Sequence, residues 1–224
     1  MIVSHDWRFI HLKTHKTAGT SVELSLSALC GPLDIITPTW GPEEDQRLGR
    51  PPQNYIRFQP SRPQPNEINM PDPSKDFYNH IPATLVCEYV GMRLWESYCK
   101  IGFVRNPWDR EVSRYFWRHR NAGNRSVEGF RRHVLSGPID NEWGIISIGD
   151  KLVLDFVGRY ETLEDDFARL LNHLGYKHSV PLARAKVGFR SADERDYRRF
   201  YDDETRELVG QRQAKMVEVF GYTF

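Results

Sequence analysis

Short apolar runs alternate with stretches of helical period along this chain, and that alternation sets the first expectations. Trp7 to Leu12 is an aromatic and aliphatic stretch that reads as a buried strand. From Ser21 the period changes, with Val22, Leu26 and Leu29 at helical spacing until Gly31-Pro32 stops the run. The pair recurs later: Tyr98–Val104 reads as a strand, Asn106 as the cap of a following helix, and Pro107 as its first residue. A third apolar run spans Lys151–Val157. Leu163, Phe167, Leu170, Leu171 and Leu174 then keep helical spacing up to Gly175, a natural C-terminal stop. A helix is also expected at Thr84–Val90 or Met92–Tyr98, and one amphipathic helix over Asp203–Val219. Strands that each feed a helix predict an α/β fold, a P-loop-like parallel sheet flanked by helices.

The 224 residues fit a single domain. One segment breaks the pattern. Nine of the fourteen prolines fall between Pro38 and Pro73, where neither period survives, so 38–75 is expected to be a long loop or insertion. Trp40, Tyr55 and Phe58 favour a functional covering loop over a purely disordered one. Hydrophobic residues make up 39% of the chain and the mean hydropathy is −0.60. With no run near membrane-spanning length and no signal-peptide pattern at the start, a cytoplasmic protein, or a soluble piece of an anchored one, is expected. A net charge of +1 argues against general nucleic-acid binding. Local basic clusters exist at Arg114, Arg118, His119, Arg120 and Arg125, and again at Arg184, Lys186 and Arg190. Cys30, Cys87 and Cys99 are scattered without metal spacing and are expected to be reduced. No nucleic-acid or membrane partner is expected, and no metal.

Two segments carry candidate chemistry. The first is Lys16-Thr17-Ala18-Gly19-Thr20-Ser21, between the first strand and its helix. The first N–H groups of a helix lack partners within it and attract anions. Gly19 lets an oxyanion approach the backbone, Thr20 and Ser21 add hydroxyls, and Lys16 adds a mobile cation suited to charge on a leaving oxygen. The lysine precedes the glycine, so this is not the Walker A order of glycine followed by lysine. The second segment begins at Arg105, at the C-terminal edge of a strand, where open α/β sheets bind ligands. Its planar guanidinium suits two-pronged binding of phosphate, and Ser113 follows about two helical turns later. Pairing of Arg105 with a carboxylate is the structural alternative.

Together the two segments resemble the phosphosulfate loop and the 3′-phosphate site of sulfotransferases that use 3′-phosphoadenosine 5′-phosphosulfate (PAPS). The closer likeness is to the carbohydrate-type branch, whose second signature resembles F-V-R-N-P-x-x-R-x-x-S-x-Y. Phe103-Val104-Arg105-Asn106-Pro107-Trp108-Asp109-Arg110-Glu111-Val112-Ser113-Arg114-Tyr115 fills every fixed position. Further likeness lies in Asp155–Glu161 and Phe220–Phe224. The resemblance implies sulfuryl transfer from PAPS to a hydroxyl of a carbohydrate or small metabolite. Lys16, Thr17, Ala18, Gly19, Thr20, Ser21, Arg105 and Ser113 would hold the cofactor, and Lys16 would stabilise the leaving phosphate. An acceptor alcohol must also lose a proton. His80, in Asn79-His80-Ile81-Pro82-Ala83, resembles the family's histidine segment and is the expected base. His15 and Glu23 compete for that role, and His15 stands where many members have proline. The alternatives are a P-loop-type nucleotide kinase or a nucleotide-binding protein without turnover.

Overall fold

The computed structural model of the chain describes residues 1–39, 41–57, 72–121, 125–137, 141–185, 188, 190–191 and 194–224. A five-stranded sheet is built from β1 (Ile2–Ser4), β2 (Phe9–Leu12), β3 (Ile35–Ile36), β4 (Cys99–Val104) and β7 (Phe156–Arg159), in the order β3-β1-β2-β4-β7. β2, β4 and β7 run parallel, in register Leu12↔Gly102 and Val104↔Arg159. β1 is antiparallel to both its neighbours, so the sheet is mixed rather than parallel as expected. The reason is local. A return after Ser4 brings Ile2 opposite His11, and a three-residue strand at the start of the chain is too short to show a period.

Of the helices, α1 (Gly19–Leu26), followed by a 3₁₀ turn at Ser27–Leu29, packs with α7 (Leu163–His173) on one face of the sheet. The other face carries α2 (Ala83–Val90), α4 (Pro107–Arg118), α5 (Val127–Ser136), α6 (Glu142–Ile146), α8 (Asp203–Arg212) and α9 (Ala214–Phe220), with α3 (Met92–Ser97) beside them. Alternation along the strands feeds both layers. Phe9, Ile101 and Phe103 meet Val22, Leu26 and Phe167, whereas Ile10, Leu12 and Val104 meet the larger cluster with Trp108, Val112 and Phe116. A separate hairpin pairs β5 (Ser147–Ile148) with β6 (Lys151–Leu152), so the run 151–157 divides between two sheets. Two further helical expectations change. Both candidate helices before β4 form, divided by Gly91 at φ +81°. The single helix expected over Asp203–Val219 is two, broken at Gln213.

Within the Pro-rich segment, Pro42–Gln46 forms a 3₁₀ turn, Gln53 bridges to Ile36, and Tyr55 is buried in the core. The N–H groups of Leu48 and Arg50 donate to Leu24 and Ser27, which lays this part of the segment on the α1 side. Trp40 and 58–71 lie outside the described residues. Among the described residues no helix is long and apolar enough to cross a membrane.

Candidate active site

Parallel pairing of β2, β4 and β7 brings three strand ends to one edge, where Lys13, Arg105 and Tyr160 leave the sheet. A cavity of about 1130 Å³ opens there, lined by His15, Lys16, Ala18–Ser21, His80, Arg105, Ser113 and Tyr160 among others. Sequence segments about 90 residues apart therefore meet in one place. Of the expected cofactor residues, Thr17 alone is absent from the lining. Its hydroxyl is turned inward, 2.8 Å from that of Thr14, and supports the loop from behind.

Loop 13–18 is held in an uncommon backbone shape. Lys16 and Ala18 take φ +57° and +60°, and His80, across the cavity edge, takes +64°. Non-glycine residues adopt this region rarely and at a cost of order 1–3 kcal/mol, and such outliers cluster at ligand sites. Ala18 turns the chain into α1, so the first N–H groups of that helix face the cavity without a side-chain cap. A Cβ on Gly19 would lie 2.8 Å from Lys13 Cγ, so only glycine fits beneath the loop. Lys16 Nζ sits 4.6 Å above the ring of Trp117, which keeps the ammonium at the cavity wall.

Arg105 is buried and anchored on three sides. Its Nε donates to Asp109 Oδ2 at 2.8 Å, its Nη2 lies 2.7 Å from the same oxygen, and its Nη1 donates to the Lys16 carbonyl at 2.9 Å. Tyr160 stacks on the guanidinium at 3.6 Å. The carboxylate pairing weighed as an alternative is thus present. Asp109 also takes Arg190 Nη1 at 2.7 Å, so two guanidiniums share one carboxylate and the pocket keeps net positive charge. Arg114, Arg118 and Arg184 line the same cavity, while Lys186 lies outside the described residues. None of the described residues of the Pro-rich segment lines it.

The three candidate bases separate clearly. Glu23 is fully buried outside the cavity, with Lys13 Nζ at 2.8 Å. Burial alone would raise its pKa, but Lys13 and its other cationic neighbours hold it well below the usual carboxylate range. It is a structural counter-ion. His80 Nδ1 donates to the Lys13 carbonyl at 2.9 Å, which fixes the tautomer and leaves Nε2 as a lone pair. Burial first, then His15 and Lys13, push its pKa well down, so the ring is neutral. His15 stacks on it, with ring centroids 3.7 Å apart and planes 16° apart.

Sequence reasoning missed the group behind His15. Glu142, the first residue of α6, accepts from His15 Nδ1 at 2.7 Å and from the His15 backbone N–H at 2.9 Å. Arg110 Nη1 lies 2.7 Å from the same carboxylate, which is fully buried. Burial opposes its ionisation, but Arg110 and His15 outweigh that and keep the pKa low. Arg110 was visible as a fixed position of the second segment. Glu142 carried no signal, because it meets His15 only through the packing of α6 against the rest of the fold.

No protein-family model matches the chain, and no solved structure matches it. A protein of Archaeoglobus fulgidus, described as uncharacterized, is 31% identical over 124 residues, covering 53% of this chain and 98% of the archaeal one. That coverage makes the two chains members of one family, for which the archaeal protein's description gives no activity.

Proposed function

We propose that the chain is a sulfotransferase that moves a sulfuryl group from PAPS to a hydroxyl of a carbohydrate or small metabolite, working as a soluble protein. The observation that carries this reading is the convergence, in one cavity, of loop 16–21 with Arg105 and Ser113. Uncapped helix N–H groups and Lys16 suit the phosphosulfate end. Arg105 and Ser113, with Arg190 nearby, suit a second phosphate on the ribose.

Sulfuryl transfer needs in-line positioning and stabilisation of charge on the departing phosphate oxygen. Lys16 is the cation for that charge, held over Trp117. Asp109 and the Lys16 carbonyl fix the Arg105 fork, which links the phosphate site mechanically to the loop. The acceptor proton goes to the stacked imidazole pair, of which His80 is neutral with a free Nε2 lone pair and His15 is backed by a carboxylate.

Calorimetry with 3′-phosphoadenosine 5′-phosphate (PAP), the desulfated product, tests the reading. Binding should occur without added metal, since both anionic ends have protein donors. No binding, or binding only with magnesium, would overturn it. Magnesium-dependent phosphoryl transfer from ATP would establish the kinase alternative, and PAP binding without any sulfuryl transfer the non-catalytic one.

A further inference from the structure

We infer that His15 is the group that takes the acceptor proton, and that Glu142, held by Arg110, is its positioning residue. This rests on the sulfotransferase reading and assigns the base left open within it. A proton on His80 Nε2 would create a buried cation beside His15 and Lys13, and among the described residues no carboxylate pairs with the ring. A proton on His15 Nε2 places the charge on a ring already hydrogen-bonded to a carboxylate, with Glu142 Oε1 2.7 Å from Nδ1.

Glu142 is built for this use. It accepts from the backbone N–H and from the ring of the same residue, so it fixes both the loop and the imidazole. Because a carboxylate only accepts, Nδ1 must carry the hydrogen, and the lone pair is directed to Nε2. Arg110 supplies the counter-charge that keeps Glu142 ionised in its buried seat. His15 lines the cavity and is 31% exposed, so its ring reaches solvent-filled space while its partner does not. His80 then serves as a fixed wall against which the His15 ring lies flat.

The step balances. The acceptor O–H bond breaks as its oxygen forms a bond to sulfur, and the bond between sulfur and the 5′-phosphate oxygen breaks. That oxygen keeps the electron pair beside Lys16, and the proton passes to His15 Nε2. PAP and a sulfate ester leave, and His15 returns the proton to water. Among the described residues, the charged groups around His15 are Glu142 from α6, Arg110 from α4 behind it, Lys16 next in the loop, and Lys13 on the far side of the stacked His80.

Two probe acceptors, compared at pH 8, decide the matter: methyl glucoside, whose hydroxyls need a base, and p-nitrophenol, which is largely ionised at that pH and does not. His15→Ala should lower transfer from PAPS to methyl glucoside at least about 100-fold, the low end for a general base, and spare transfer to p-nitrophenolate. Added imidazole should restore part of the loss. Glu142→Gln should lower kcat for methyl glucoside more than it lowers transfer to p-nitrophenolate. Nuclear magnetic resonance of the ¹⁵N-histidine-labelled full chain with PAP should show a hydrogen-bonded His15 Nδ1 proton that Glu142→Gln removes. Selective loss of methyl glucoside transfer in His80→Ala but not in His15→Ala would overturn the assignment, as would a His15 ring protonated only at Nε2. If Glu142→Gln does not fold, the two alanine variants still decide. Wild-type protein that binds PAP but transfers to neither probe overturns the catalytic reading, and this assignment with it.

Discussion

At the scale of single residues, strain and charge gather at the same few positions. Lys16 pays for a left-handed backbone, its carbonyl is taken by Arg105, and its ammonium rests on Trp117. A lysine meant only for solubility needs none of these. Its strongest interaction is expected with charge that exists only as the sulfuryl group leaves. Lys16→Ala should therefore reduce kcat with saturating PAPS by about 100-fold or more, the range for losing one transition-state donor, while PAP affinity falls far less. Equal losses in both would make Lys16 a binding residue. Here the legible and illegible parts of the site divide by mechanism. Lys16, Gly19, Arg105 and Ser113 could be found in the sequence because each belongs to a contiguous segment with a backbone purpose. Glu142 reaches the site by side-chain packing between distant elements, which leaves no local trace, whereas Trp117 joins it from α4, one helical turn beyond Ser113.

At the scale of elements, the strands that position the site were legible and those that widen the sheet were not. β2 and β4 are apolar runs followed by a cap or loop residue, so period and punctuation agree. β1 and β3 have three and two residues, too few to display alternation, and their antiparallel pairing depends on a turn and a distant bridge to Gln53. β7 was half visible within a longer run, because two residues of that run belong to the small hairpin. What fixes β7 beside β4 is a close approach: a Cβ on Gly158 would lie 2.2 Å from Phe103 Cε1 and 2.5 Å from Cδ1. Phe103 is buried in the α1–α7 layer and has nowhere to yield. Gly158→Ala should thus cost about 1–3 kcal/mol of unfolding free energy in urea, as over-packing does in tight cores. It should also weaken PAP binding, since Arg105 and Tyr160 follow directly from these two strands. A stability change under 0.5 kcal/mol would mean that the strands separate more easily than their packing indicates.

Across the whole molecule, the layer under the loop contains an unusual set of buried charges. Lys13 and Glu23 pair beside His11, which is fully buried and whose two ring nitrogens have no hydrogen-bond partner among the described residues. Burial, with help from nearby positive charge, pushes the His11 pKa down from 6.5 to about 3. Between those values the unfolded chain binds a proton there and the folded chain does not. Stability must then rise with pH through this window and fall as pH drops. One group can contribute up to about 1.4 kcal/mol per pH unit, or about 2 kcal/mol between pH 7 and 5. Glu23 and Glu142 have depressed values, so their contributions are present above the ordinary carboxylate range and are lost only at lower pH. His80 acts in the same direction as His11, but equally in any variant that leaves it in place. His11→Leu, which fills similar space with a group that cannot titrate, should flatten the pH dependence of urea unfolding between pH 5 and 7 by about 2 kcal/mol. An unchanged slope in a folded variant would mean that His11 is reached by protons in the native state, and that the layer beneath the active-site loop is open to water.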